Sequence, residues 1–182
     1  MTTTRRQILG RGIGLAGAAA VPGSLLAAAP ALAQADDETD ALERVVELEQ
    51  ASELAYSLAA EDGSLDAGAK HAFELYGGHN GEHATALEEA LDQLGVDPPD
   101  AGSDPADYER LADFDPKTDQ AKLLEFMIAL EKELVSVCED AQTAVDADDL
   151  VRSLAQIGAC HAQQYVALSI LAGDPAPIPS EV

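Results

Sequence analysis

The helix breakers in this chain are unevenly spaced, and that spacing limits the folds open to it. Asp62-Gly63-Ser64 and Asp146-Ala147-Asp148-Asp149 are short interruptions. Between them, Val96 to Lys117 gathers Asp97-Pro98-Pro99-Asp100, Asp104-Pro105 and Asp115-Pro116 into one long polar stretch. Clusters of this kind punctuate regular structure. Outside them, apolar residues recur every three or four positions, the period of a half-buried helix. The pattern predicts four helices, over about 39–61, 65–94, 118–145 and 149–172. Gly95 is well placed to end the second in a left-handed conformation, and Gly173-Asp174-Pro175 ends the fourth. No strand alternation is present. Short connections join antiparallel neighbours. A long middle connection instead lets helices 2 and 3 run parallel. An up-down-up-down bundle would need a short middle loop. The expected fold is all-α, a four-helix bundle with a long crossover between helices 2 and 3.

Each helix has an apolar stripe, and each stripe is interrupted near its middle. Helix 1 reads Leu42, Val45, Glu49, Ser52, Tyr56, Ala59. Helix 2 reads Phe73, Tyr76, Asn80, His83, Leu87, Ala90, Leu94. Helix 3 reads Leu124, Met127, Glu131, Leu134, Cys138, Ala141, Val145. Helix 4 reads Leu150, Leu154, Ile157, His161, Gln164, Leu168, Leu171. A lone carboxylate in an apolar core costs several kcal/mol unless it is paired, protonated or bound to a metal. Glu49, His83, Glu131 and His161, one per helix at mid-height, therefore point to a shared polar centre. A divalent cation would satisfy them, and imidazole with carboxylate suits iron, manganese or zinc. The competing reading is a buried hydrogen-bond network among the same four side chains.

The first 35 or so residues differ from the rest. Arg5-Arg6 precedes an Ala/Gly/Leu-rich run without acids, and Ala31-Leu32-Ala33 supplies small residues where a signal peptidase reads. These are the regions of a secretory signal. Thr4-Arg5-Arg6-Gln7-Ile8-Leu9 resembles the twin-arginine export motif. A Sec signal with a chance Arg pair and an uncleaved anchor are the alternatives. The domains expected are a twin-arginine signal peptide over 1–33, the bundle over 37–173 and a Pro-rich tail over 174–182. The chain is placed outside the cytoplasm, in the periplasm, the cell envelope or the medium.

Formal net charge is −24 over the whole chain. All 34 acids lie beyond Ala33, with three of the ten basic residues before it, so the processed chain stands at 7 − 34 = −27. Phosphate backbones and anionic lipid surfaces reward basic patches. The charge therefore argues against nucleic acid and against an anionic membrane surface as partners. A solubilising coat accounts for the acids better than a cation sink does, since they spread over every helix. Cys138 and Cys160 could form a disulfide in an oxidising compartment or act as two buried thiols.

Helices 1 and 2 echo helices 3 and 4. Leu48-Glu49 and Leu130-Glu131 each open a seven-residue step, to Tyr56 and Cys138, and Glu82-His83-Ala84 parallels Cys160-His161-Ala162. With this topology, the chain resembles the ferritin-like superfamily, in particular exported bacterial ferritin-like domain proteins, from about residue 40 to 173. The resemblance implies a metal centre in which each half gives a Glu from its first helix and a Glu-x-x-His from its second. Glu49, His83, Glu131 and His161 match that ligand set. Asn80 and Gly158 stand where its other two carboxylates are expected. One ion, iron first and otherwise manganese or zinc, or no ion at all, is therefore expected rather than two. His79, on the next turn from His83, and Glu53, one turn beyond Glu49, are candidate substitutes, and Glu82 is a poorer one. His71 with Glu74 reads as an exposed pair, and Gln164 either as a hydrogen-bonding partner to the centre or as a packed polar core residue.

Three functions compete on this reading. The first is a metal-binding protein using those four residues. The second is a bundle that has lost its chemistry and serves as a structural or binding module in the envelope. The third is an acidic cation buffer. Catalytic residues, the protein partner and the oligomeric state are left open.

Overall fold

The computed structural model describes residues 29–61 and 64–174. Most of the expected leader and the tail beyond Asp174 lie outside the described residues. Within them, the regular elements are four α-helices and two short 3-10 turns. The helices are α1 (Ala29–Glu61), α2 (Ala67–Leu94), α3 (Gln120–Ala144) and α4 (Asp148–Leu171). The turns, Pro105–Asp107 and Glu109–Leu111, lie in the long connection between α2 and α3. No described helix is long and apolar enough to cross a membrane.

Local chemistry fixes most of the ends. Asp66 caps α2, its carboxylate accepting from the backbone N–H of Gly68 and Ala69, which satisfies donors that the first turn leaves free. Those bonds, that of Ala69 foremost, hold the Asp66 carboxyl below the usual range. Gly95 closes α2 at φ 81°, a left-handed conformation that glycine adopts without a Cβ clash. Asp119 caps α3 through the Lys122 N–H. The start of α4 differs from expectation. Its cap position falls on Ala147, which has no side-chain acceptor, and Asp148 and Asp149 lie inside the first turn. There they act on the positive end of the helix dipole. α1 also begins ten residues before Thr39, at Ala29. Pro30 sits in its first turn, where a missing N–H costs nothing, and the residues that follow are good helix formers.

The crossover can be traced from its contacts. Early in the connection, the Pro99 carbonyl accepts from Gln50 of α1. Midway, Arg110 pairs with Glu133 of α3 and lies over the Phe126 ring. At its end, Gln120 bonds to both the backbone N–H and the carboxylate of Asp66. The first residues of α2 and α3 are thus adjacent. The two helices run parallel, as a connection that travels the length of the bundle requires.

Every residue of the expected stripes on α1 and α3 is buried. On α2 and α4 the mid-helix members are buried or half-buried, but Leu94 and Leu171 are 47% and 40% exposed. Each is the last residue of its helix, where packed neighbours give way to the connection. Glycine brings α1 and α2 close. A Cβ added at Gly77 would stand 3.0 Å from Tyr56 Cβ, and one at Gly81 would stand 2.7 Å from Glu53 Oε1.

Candidate metal centre

Glu49, Glu131 and His161 are fully buried, and His83 is 17% exposed. Packing of the stripes carries them inward: Glu131 sits between buried Met127 and Leu134, while Glu49, His83 and His161 each have a buried apolar residue on one side (Val45, Leu87, Ile157) and a buried polar one on the other (Ser52, Asn80, Gln164). His161 lies between the two carboxylates. Its Nε2 is 2.7 Å from Glu49 Oε1 and its Nδ1 is 2.7 Å from Glu131 Oε2. His83 Nδ1 is 3.3 Å from the same Glu49 oxygen, and its ring meets that of His161 edge-on at 5.1 Å.

Glu131 has further partners. The Tyr56 hydroxyl donates to its Oε1 at 2.5 Å. The Gln164 amide fits best with its nitrogen toward Glu131, at 3.1 and 3.0 Å from the two oxygens, and its oxygen accepting from His79 Nδ1 at 3.2 Å. Both oxygens of Glu131 are therefore committed. Glu49 is different: its Oε2 is buried with no hydrogen-bond partner, and so is His83 Nδ1.

The electrostatics follow from this arrangement. Burial works against a charge on His161, but hydrogen bonds to Glu131 and Glu49 and their negative charges outweigh it, raising the imidazole to about 9. Tyr56 is pushed well above its ordinary value by burial and by the charge of Glu131. Burial raises Cys138 to about 12, with the charges of Glu49 and Glu139 adding to it. Cys160 is raised less, again chiefly by burial. Both cysteines are free thiols.

One atom from each of Glu49, His83 and His161 lies within 4.8 Å of the others. Two donors on one ion, each at about 2 Å, stand no more than about 4 Å apart. Small side-chain rotations close the set. Glu131 approaches only through His161. A buried carboxylate on the far nitrogen of a metal-binding histidine fixes its tautomer and aims the other nitrogen. Here Nδ1 faces Glu131 and Nε2 faces Glu49.

The model of the ferritin-like domain family matches residues 37–174. The chain belongs to that family. Comparison with curated proteins gives no match. Among solved structures, a conserved hypothetical protein from Mycobacterium tuberculosis superposes with a TM-score of 0.66 at 12% identity. The match covers 75% of this chain and 97% of that one, and at that identity it speaks to the fold alone.

The ferritin-like fold brings the four residues singled out from sequence to one level, but they are not equivalent. Glu49, His83 and His161 converge, and Glu131 stands behind His161. Of the two positions lacking the expected carboxylate, Asn80 is fully buried with neither amide atom partnered. Gly158 is buried, and a Cβ there would lie 3.3 Å from Cys138 Cβ. The candidate substitutes do not join the centre. His79 turns to Gln164 and lies 4.0 Å from Cys160 Sγ, while Glu53 and Glu82 are exposed. His71 and Glu74 are exposed as well. Gln164, left open between a core residue and a partner to the centre, is buried and contacts Glu131. Sequence reading gave Tyr56 a packing role and missed its bond to Glu131. The seven-residue step from Glu49 to Tyr56 was the available signal.

Proposed function

We propose that this ferritin-like chain binds one divalent metal ion through Glu49, His83 and His161, with Glu131 holding His161 in place. The observation that carries the reading is that two buried atoms, Glu49 Oε2 and His83 Nδ1, make no hydrogen bond, the latter lying 3.3 Å from Glu49 Oε1 without bonding to it. An unpaired buried polar atom costs about 1–3 kcal/mol. An ion between these side chains removes that cost. It also balances charge: two buried carboxylates and one divalent cation sum to zero when both imidazoles are neutral. Two imidazoles and one carboxylate form a donor set suited to iron(II), with manganese and zinc as alternatives. The ion, once bound, would supply Lewis acidity and, if it is iron, access to a second oxidation state. The chain supplies three ligands from α1, α2 and α4, and the Glu131 carboxylate from α3.

A second reading rests on His161 itself. With both ring nitrogens 2.7 Å from carboxylates, an imidazolium there forms a closed ion triad without a metal. In that case the centre is structural, and the chain is a non-catalytic bundle. The triad leaves Glu49 Oε2 and His83 Nδ1 unsatisfied and keeps a net negative charge in the core, so metal binding is the stronger account. Calorimetric titration of the chelator-treated protein separates the two. Binding of iron(II) or zinc in a one-to-one ratio, absent in His83→Ala, supports the metal. A folded protein that takes up neither leaves the ion triad.

We also infer export by the twin-arginine route to an extracytoplasmic compartment. Arg5-Arg6, the acid-free apolar run and Ala31-Leu32-Ala33 support it. The double substitution Arg5→Lys with Arg6→Lys should retain the chain in the cytoplasm, and normal export of that variant would end the inference.

A further inference from the structure

Unpartnered polar atoms in the core do not stop at the proposed ligands. Ser52 and Asn80 are 0% exposed, and Ser52 Oγ, Asn80 Oδ1 and Asn80 Nδ2 have no hydrogen-bond partner. Buried polar side chains are nearly always satisfied by protein or ordered water, so three orphaned atoms on two residues need an occupant.

The antiparallel register of α1 and α2 places these residues opposite one another. Glu49 meets His83, Glu53 lies against Gly81, and Tyr56 lies against Gly77. By the same register Ser52 stands opposite Asn80, one helical turn from the Glu49–His83 level toward the α1–α2 connection. Those three residues rise about 4.5 Å. A metal-to-ligand bond of about 2 Å and a hydrogen bond of about 2.9 Å together cover that distance. A ligand of one to three atoms on the ion would therefore reach the Ser52–Asn80 layer. The two side chains suit such a ligand: the Asn80 amide and the Ser52 hydroxyl each offer a donor and an acceptor.

We propose that Ser52 and Asn80 form the binding position for an exogenous ligand of the ion, a water or a small anion that ligates the metal and accepts hydrogen bonds from both side chains. The proposal rests on the metal reading above. It gives Asn80 a role that a carboxylate could not fill. A Glu at that position would itself ligate, and its negative charge would repel an anion. An amide leaves the coordination position free and donates toward it.

The test uses the full folded domain loaded with one equivalent of cobalt(II), whose visible absorption reports coordination, titrated with azide. Azide should change the spectrum saturably in the parent protein. Asn80→Leu and Ser52→Ala should keep the cobalt ratio while weakening azide by about tenfold each, the loss of one hydrogen bond. Cobalt bound one-to-one with no spectral response to azide would overturn the proposal. So would azide affinities equal to the parent's in both variants. Should Asn80→Leu not fold, Ser52→Ala, which removes only an oxygen, carries the comparison. Failure to bind cobalt at all is a separate outcome, and it would overturn the metal reading and this proposal together.

Discussion

Glu131 Oε2 lies 2.7 Å from His161 Nδ1, on the side of the ring away from Glu49. That relationship divides the four buried mid-helix residues into three that could hold an ion and one that orients a holder. It also separates the two carboxylates experimentally. Glu49→Ala should abolish stoichiometric metal binding. Glu131→Gln keeps an acceptor near Nδ1 and should keep the stoichiometry while weakening affinity by about 10–100-fold. Equal loss in both variants, measured by titration with zinc against a competing chelator, would place Glu131 among the ligands.

Tyr56 joins α1 to α3 through its hydroxyl bond to Glu131 at 2.5 Å. A hydrogen bond to a charged group contributes about 1.5–3 kcal/mol. Tyr56→Phe should therefore lower the unfolding free energy by about 1–3 kcal/mol in urea. It should leave the metal ratio unchanged, because Gln164 still reaches Glu131. A variant as stable as the parent would show that the bond carries no net stabilisation.

The fold was more legible in the sequence than the centre. Asp-Pro clusters and Gly95 marked the ends of the helices because backbone geometry acts locally, and the long crossover followed from their spacing. α3 begins at Gln120, capped by Asp119, two residues later than its expected start at 118, since several turn residues lie close together there. The polar mid-points of the stripes located the centre to one turn per helix. What periodicity could not give is distance. Glu49 and Glu131 look alike on their helices, and only packing shows that one faces His83 while the other is spent on Tyr56, Gln164 and His161. His79 was misjudged for the same reason: a neighbouring turn placed it near His83, but its ring points to α4.

The thiols supply a pH-dependent prediction. Burial foremost raises Cys138 to about 12, above an unfolded value near 9. The folded state thus favours the protonated thiol. This contribution to stability is fully present below the unfolded value and is lost as pH rises through the folded one. At pH 8 in native buffer, a thiol reagent should titrate half-buried Cys160 first, with Cys138 reacting only on unfolding. Two thiols reacting at equal rates would contradict the packing of Cys138 in the core.

Gly158 stands where the family's second Glu-x-x-His carboxylate is expected, and a side chain there would crowd Cys138. A Cβ at that position would already press on Cys138 Cβ at 3.3 Å. Gly158→Glu should accordingly lower stability by about 1–3 kcal/mol through overpacking between α3 and α4. It should not add a second ion. Two ions per chain in this variant would show that the helices open readily and that the vacancy alone limits the parent to one.

The most direct test is elemental analysis of the protein purified without chelators, alongside Glu49→Ala and His161→Ala. The account predicts about one divalent ion per chain in the parent and none in either variant, with all three still helical. A folded parent that carries no metal, or variants that retain the parent's content, would contradict it.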